Sequence, residues 1–376
     1  MVKGELHILI LSSWYPNKKH PFLGNFVQRN AELLAKKYKV TVINTECDDS
    51  INEMTVEISV PSNFDEVRVF HPRGKSLLER KKMQKKALEA GLELTKNVDL
   101  IIGHVILSKG LQFVQAKKYY NCPLIHVEHG SYFRSKIRCR QSWIQKLIIR
   151  KTRRHIDEVV AVSAFLRKDM RKDFPNQSIS VIGNHIDTSM YNYIPKQKKG
   201  KVKFLHVSTM DERTKDPEGI LCGFKSLKEE TTDFELTIIC DEDVTQWKHL
   251  TTHFGLADHV KFVGPLQWVD LVPYYHEADA FVLFSEYESF SIVLAEAWAT
   301  GTPTLTTPVG IADNMSEDLG VILKIGDRKN LSATLYDFIQ NKRNHFNGEI
   351  IAEYGMQYCG ERILEKWSAL IDKHVS

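Results

Sequence analysis

The chain has 376 residues, 43% of them hydrophobic and 26% charged, with a net charge of +4. That length exceeds what one core organises and the composition is that of a folded globular protein, so two domains are expected and long disorder is excluded. No run of about 18 apolar residues is present to span a bilayer, Leu6 to Leu11 is too short for a signal-peptide core, and six cysteines without a Cys-x-x-Cys pair read as reduced thiols, so a cytoplasmic protein without disulfide or structural zinc is expected.

The charge is uneven. Residues 1–195 carry 32 Lys+Arg against 19 Asp+Glu, or +13, and the rest carries 19 against 28, or −9. The two halves are expected to meet different partners.

Short β-branched runs followed by amphipathic helical patterns recur along the chain, the signature of βαβ units, so the fold class is α/β with parallel sheets. In the first half the predicted strands are Leu6 to Leu11, Val40 to Ile43, Val67 to Phe70, Asp99 to Ile102, Pro123 to Val127, Glu158 to Val162 and Ile179 to Ile182. In the second they are Val202 to Val207, Glu235 to Cys240, Val260 to Val263, Ala280 to Phe284, Thr304 to Thr307 and Val321 to Leu323. The polar stretch after Ile194, bounded by Pro195 and Gly200, follows neither period. The expected organisation is an N-terminal domain over 1–194, a linker over 195–201, a C-terminal domain over 202–355, and a closing helix over 356–376 that packs back toward the first domain. Doubly wound domains bind ligands at the carboxyl ends of their strands, so the loops after strands hold the candidates.

After the first strand, Gly24 precedes an amphipathic helix, where a missing Cβ permits a close backbone approach. The aromatic and polar insert from Trp14 and Tyr15 to Phe22 is a candidate ligand-contacting loop. His129 and, with a weaker case, His104 end parallel strands and are candidates for ligand contact. Ser131 to His155 holds nine basic residues and no acidic one. Trp143, Ile144, Leu147 and Ile148 share one face of a helix there, and Lys146, Arg150, Arg153 and Arg154 share another. This helix either lies on an anionic membrane surface or buries its apolar face in its own domain. No nucleic-acid-binding module accompanies the basic stretch.

In the second half, Lys215-Asp216-Pro217 follows the first strand and Gly264 follows the third. Asp241-Glu242-Asp243 invites a metal reading, but charged runs are more often solvated loops, and no metal site is expected. The richest segment runs from Ala280 to Pro303 as strand, loop, helix and turn. The backbone N–H groups of Ser289, Phe290 and Ser291 are expected to open its helix toward an anion such as a diphosphate. Glu288 stands at the mouth of that helix. Glu296 lies roughly 12 Å further along it at the helical rise, so the two carboxylates suit two ends of one extended ligand. No Gly-x-Gly-x-x-Gly follows any strand and no Gly-x-x-x-x-Gly-Lys-Ser/Thr occurs, which removes the dinucleotide and P-loop readings.

Glu288-x7-Glu296, with Ser285 ahead and Ala297-x-Ala-x-Gly-x-Pro behind, resembles the E-x7-E signature of family 4 (group 1, retaining) glycosyltransferases of GT-B fold. Further pieces match in order: Trp14-Tyr15-Pro16 with Gly24-Asn25-Phe26-Val27, His129-Gly130, Val162-Ser163, Asn184-His-Ile-Asp187, Lys215-Asp216-Pro217 and Val263-Gly264. The resemblance implies two Rossmann-like domains facing across a cleft. It implies transfer of a sugar from a UDP- or GDP-type donor to a hydroxyl of a glycan or glycolipid, without metal or other cofactor.

On that likeness Glu288 meets the donor sugar, Glu296 the ribose, Lys215 the diphosphate and His129 the sugar; Gly24, Gly264 and the 289–291 backbone line the donor. Trp14, Tyr15, Trp143, Arg150 and Arg153 fall on the acceptor or membrane side, and the setting is the cytoplasm or the inner face of the cell membrane. Many relatives carry Gly-Arg where this chain has Ser208-Thr209, so either Arg213 substitutes from the loop or diphosphate binding relies more on Lys215 and backbone amides. A nucleotide-sugar 2-epimerase, a phosphorylase-like enzyme and a non-catalytic nucleotide-sugar binder stay open as alternatives.

Overall fold

The computed structural model describes residues 5–17, 20–134, 141–197 and 199–375. Contacts divide the chain into two compact units. One is built of residues up to Val162, Leu166–Asn184 and the segment from Ile363; the other comprises Ser163–Phe165 and His185–Arg362.

The first unit holds strands β1 (His7–Ser12), β2 (Lys39–Cys47), β3 (Thr55–Ser59), β4 (Asp65–His71), β5 (Leu100–His104), β6 (Leu124–Glu128), β7 (Glu158–Ala161) and β8 (Ile179–Val181). They form one sheet in the order β3-β4-β2-β1-β5-β6-β7-β8. Its helices are α1 (Asn25–Leu34), α2 (Leu77–Leu94), α3 (Ile106–Tyr120), α4 (Trp143–Thr152) and α5 (Ala164–Met170). β1 is buried at all six positions, as expected of a central parallel strand covered on both faces. β3 was not anticipated. It pairs antiparallel with β4 at the sheet edge and is exposed throughout, so it lacks the continuous apolar run that marks the parallel strands.

The second unit carries β9 (Val202–Val207), β10 (Phe234–Ile239), β11 (Val260–Val263), β12 (Ala280–Leu283), β13 (Thr304–Thr306) and β14 (Gly320–Ile322). They lie in the order β11-β10-β9-β12-β13-β14, and every pairing is parallel. Its helices are α6 (Glu212–Lys215), α7 (Pro217–Glu230), α8 (Thr245–His253), α9 (Trp268–Glu277), α10 (Ile292–Ala299), α11 (Arg328–Asp337) and α12 (Gly348–Gly355). A last helix, α13 (Gly360–Val375), passes at Ile363 from the second unit into the first, where Lys373 reaches Glu158 at 2.7 Å. The units part at Asn184/His185. Lys196, in the expected linker, is tied to the second unit: its ammonium donates to the carbonyls of Tyr275 (2.8 Å) and Ala278 (3.0 Å) and to Thr302 Oγ1 (2.6 Å).

The candidates cluster in the segments that follow β1, β5, β6, β9 and β12, at the carboxyl ends of these strands. Among the described residues no helix is long and apolar enough to cross a membrane.

Candidate active site

In the second unit the loop after β12 is stitched to the loop after β9. Glu286 N–H donates to the Thr214 carbonyl at 2.7 Å, and Thr307 Oγ1 holds the Ser285 carbonyl at 2.6 Å. This brings Lys215 and Glu288 together. The ammonium lies 2.5 Å from Glu288 Oε1, which also accepts from Ser285 Oγ at 2.9 Å, and the two charged side chains are only 16% and 11% exposed. Lys215 ends α6, whose start Asp211 caps. The next residue, Asp216, takes a left-handed conformation (φ 42°) and caps α7 through Gly219 N–H. Arg328 grips Asp216 at 2.8 Å and Glu218 at 3.0 Å. Gly310 (φ 57°) is required here, since a Cβ would stand 2.3 Å from the Phe290 carbonyl oxygen.

The loop that replaces Gly-Arg is held from below by a buried histidine. His206 Nδ1 lies 2.8 Å from the Val282 carbonyl and so carries the proton; Nε2 accepts from Ser208 Oγ at 2.7 Å, and Ser208 Oγ accepts from Met210 N–H at 3.0 Å. Burial lowers the His206 pKa to about 4, so it stays neutral. Arg213, the substitute cation, is 83% exposed and engaged by Asp211 at 2.9 Å. It makes none of the Lys215–Glu288 contacts.

The helix opens later than expected. Ser291 adopts a left-handed conformation (φ 75°), and α10 begins at Ile292. Ser289 and Phe290 therefore stay in the loop, fixed by their carbonyls: Ser163 Oγ donates to Ser289 O at 2.5 Å, and Ile311 N–H donates to Phe290 O at 2.9 Å. Ser291 Oγ is buried and meets no protein hydrogen-bond partner among the described residues. Glu296 is no solvated helical carboxylate. It is 2% exposed and accepts from the Tyr275 hydroxyl at 3.0 Å. Nothing lies near the Cβ position of Gly264, so sterics do not demand glycine there. Asp241, Glu242 and Asp243 are exposed, with Asp243 capping Thr245, and no group of three metal-ligating side chains occurs among the described residues.

In the first unit, His104 and His129 form a pair that the sequence treats as separate residues. His104 Nδ1 lies 2.9 Å from His129 Nε2, and the Phe26 ring stacks on His129 at 4.1 Å with Trp14 edge-on beyond it. Burial lowers the His104 pKa to about 3 and that of His129 well below its usual value. Two neutral imidazoles then share one proton between them. The outer nitrogens, His104 Nε2 and His129 Nδ1, are buried without a protein partner among the described residues. Glu128 secures the loop by accepting from the N–H groups of His129 (2.8 Å) and Gly130 (2.7 Å) and from the Tyr132 hydroxyl.

Two first-unit candidates have structural work inside the protein. A Cβ on Gly24 (φ 71°) would stand 2.4 Å from the Trp14 carbonyl oxygen, so the close approach it permits is to the chain itself. Tyr15 is 3% exposed and donates to Glu66 at 2.6 Å, so it braces the loop and its ring is withdrawn from an acceptor's reach.

The basic helix leaves three of the four residues of its apolar stripe in solvent, Ile148 being half-buried. Trp143, Ile144 and Leu147 are 74%, 47% and 40% exposed beside exposed Lys146, Arg150, Lys151 and Arg154, while α4 buries Ile149 and Thr152. Arg153 departs from that face. α4 ends at Thr152, the 3₁₀ turn that follows rotates Arg153, and its guanidinium donates to the Asp173 carbonyl at 2.5 Å. Lys136, Arg138 and Arg140 lie outside the described residues.

Sequence spacing missed the roles of Ser163, Tyr275 and the His104–His129 pairing, because each contact joins segments apart in sequence. The strand-end position of His104 was the available signal.

Comparison with known proteins defines the class. The profile for glycosyltransferase family 4 matches residues 23–190, and the profile for group 1 glycosyl transferases matches residues 192–351. The glycogen synthase of Mycobacterium tuberculosis is 24% identical over 332 residues, 81% of this chain and 78% of that protein. Sucrose-phosphate synthase from Thermosynechococcus elongatus superposes with a TM-score of 0.78 at 18% identity over 98% of both chains. The Anabaena HepE structure in complex with UDP gives 0.72 at 14% identity, covering 98% of this chain and 100% of that one. The fold is GT-B, with two Rossmann-like domains. The chain belongs to the group 1, family 4 glycosyltransferases and is an enzyme that transfers sugar from a nucleotide sugar.

Proposed function

We propose that the chain is a retaining, metal-independent glycosyltransferase that uses Lys215 and Glu288 as its donor clamp and a glycan or lipid-linked hydroxyl as acceptor. The observation that carries this reading is the 2.5 Å contact between Lys215 and Glu288, two largely buried charges joined where the loops after β9 and β12 meet. The donor's diphosphate draws the Lys215 ammonium, supported by the N-terminus of α10 and the buried Ser291 hydroxyl. Glu288 then accepts from hydroxyls of the transferred sugar and Glu296 from the ribose.

As the bond between the anomeric carbon and the diphosphate breaks, negative charge grows on the leaving group. A preorganised cation and helix N-terminus stabilise it without any metal. The acceptor hydroxyl forms the new bond on the face the diphosphate leaves, and its proton passes to the departing phosphate oxygen. Lys215 carries the charge that relatives divide with an arginine, since Thr209 is neutral and Arg213 is held by Asp211. Family membership favours this activity over epimerase, phosphorylase and non-catalytic readings.

The exposed tryptophan and leucine of α4, ringed by basic side chains, support docking on an anionic membrane from the cytoplasmic side. A panel of UDP-, GDP-, ADP- and CMP-sugars tests the enzyme reading. One donor class is expected to raise the melting temperature, because a ligand bound only by the folded state stabilises it, and to release its nucleoside diphosphate when acceptor is added. No shift and no release with any of them would contradict it.

A further inference from the structure

Lys215 is carried by a slight piece of structure. α6 is a four-residue turn between β9 and α7, and one helical turn does not sustain itself in water. It is bounded on both sides by left-handed residues that are not glycine, Met210 (φ 55°) and Asp216 (φ 42°). Such a backbone costs energy at each position and persists only where its surroundings over-determine it.

Each end has its own clamp. At the first, His206 Nδ1 donates to the Val282 carbonyl at 2.8 Å, so Nε2 accepts from the Ser208 hydroxyl at 2.7 Å. That leaves the lone pairs of Ser208 Oγ for the Met210 N–H at 3.0 Å. At the second, Asp216 Oδ1 accepts from Gly219 N–H at 3.0 Å and from Arg328 at 2.8 Å, and the same guanidinium reaches Glu218 at 3.0 Å. Glycine at 219 makes room for that carboxylate, since a Cβ there would stand 2.2 Å from Asp216 Oδ2.

Between the clamps, Lys215 N–H closes the turn on the Asp211 carbonyl at 2.8 Å, and the Thr214 carbonyl accepts from Glu286 N–H at 2.7 Å. These bonds anchor the middle of the turn, and the clamps at its ends set the direction in which the flexible Lys215 stem leaves it.

We propose that Ser208 and Arg328 are positioning residues for Lys215, holding the left-handed backbone at the two ends of its turn so that the ammonium stands at Glu288 when a donor arrives. This rests on the reading of Lys215 as the diphosphate cation. With Thr209 neutral and Arg213 held by Asp211, the place of that ammonium decides how firmly a diphosphate is bound. Arg328 is 42% exposed, and exposed ion pairs contribute little to global stability. Its loss is therefore felt in the turn and hardly in the fold.

The test measures UDP and GDP affinity by calorimetry on the full chain for Arg328→Met, Ser208→Ala and Ser208→Thr, each in wild type and in Lys215→Ala, with melting temperatures alongside. In wild type, Arg328→Met and Ser208→Ala are expected to weaken the nucleotide by about fivefold, the scale of one lost hydrogen bond, and Ser208→Thr, which keeps the hydroxyl, by less than about twofold. In Lys215→Ala every one of these substitutions should cost less than about twofold, because the group they position is gone.

Equal losses in both backgrounds would make Ser208 and Arg328 merely structural and overturn the proposal. Wild-type affinity in both Arg328→Met and Ser208→Ala would do the same, as would a Ser208→Thr as weak as Ser208→Ala. A Lys215→Ala that binds like wild type would overturn the reading of Lys215 and the proposal together. The earlier results leave that reading standing, so the failures are distinguishable.

Discussion

The carboxyl ends of the two sheets solve opposite electrostatic problems. In the second unit the loops after β9 and β12 retain charge: Lys215 and Glu288 are paired at 2.5 Å in a largely buried setting. In the first unit the ends of β5 and β6 remove it. His104 and His129 are packed against each other and against Phe26, and burial holds both rings neutral. A neutral imidazole can donate or accept at neutral pH but is no proton reservoir. A paired lysine and carboxylate can separate to meet an anion and a hydroxyl. The second unit thus keeps a charged pair at its strand ends, and the first keeps two neutral hydrogen-bonding rings.

The largest expected effect lies on the charged side. Glu288→Ala should lower transfer with a competent donor by roughly 10²- to 10³-fold, the usual cost of removing one preorganised polar group. A variant within threefold of wild type in kcat/KM would remove Glu288 from the clamp.

The second effect belongs to the neutral side and concerns stability. His7, His104, His129 and His206 each have a folded pKa below the unfolded value, so below about pH 6.5 the unfolded chain binds a proton that the folded chain refuses at these sites. Stability from this source is complete above that pH and is lost as pH falls toward 4, at roughly 1.4 kcal/mol per pH unit per residue. The first unit contains His104 and His129, with His7 shifted in the same direction, against His206 in the second. Pulse proteolysis in urea at pH 7 and pH 5.5 should show the first unit losing the larger share. Equal losses in the two units would break the contrast.

The smallest effect is at the surface. Arg150→Ala should weaken adsorption to phosphatidylglycerol vesicles about fivefold, on the scale of 1 kcal/mol per basic residue. Arg153→Ala should change it less, since that side chain is tied to Asp173. Equal sensitivity at both positions would argue against the exposed stripe of α4 as the contact.

Much of the fold was legible because parallel strands buried on both faces read as continuous apolar runs, and thirteen predicted segments lie over strands. β3 was not, because an exposed antiparallel edge carries no such run. The pair Glu288 and Glu296 was legible from spacing and motif context, but their environments were not. Helical periodicity gives Glu296 a position along α10, and only the packing of α9 beside it supplies Tyr275. The late start of α10 turns on the left-handed backbone of Ser291, a conformation serine rarely adopts and sequence does not announce. Tyr15 was read as part of an acceptor-side loop and Arg153 as part of a basic helical face, whereas Glu66 and the Asp173 carbonyl hold them.

If the Lys215–Glu288 pair opens to receive a diphosphate, its two partners affect nucleotide binding with opposite sign. Titration of UDP and GDP into wild type, Lys215→Ala and Glu288→Ala tests this directly. Lys215→Ala is expected to weaken nucleotide binding by about tenfold or more. Glu288→Ala should bind it at least as tightly as wild type, because a carboxylate competing for the ammonium has been removed, while losing sugar transfer. Equal weakening by both substitutions, or no change with Lys215→Ala, would contradict it.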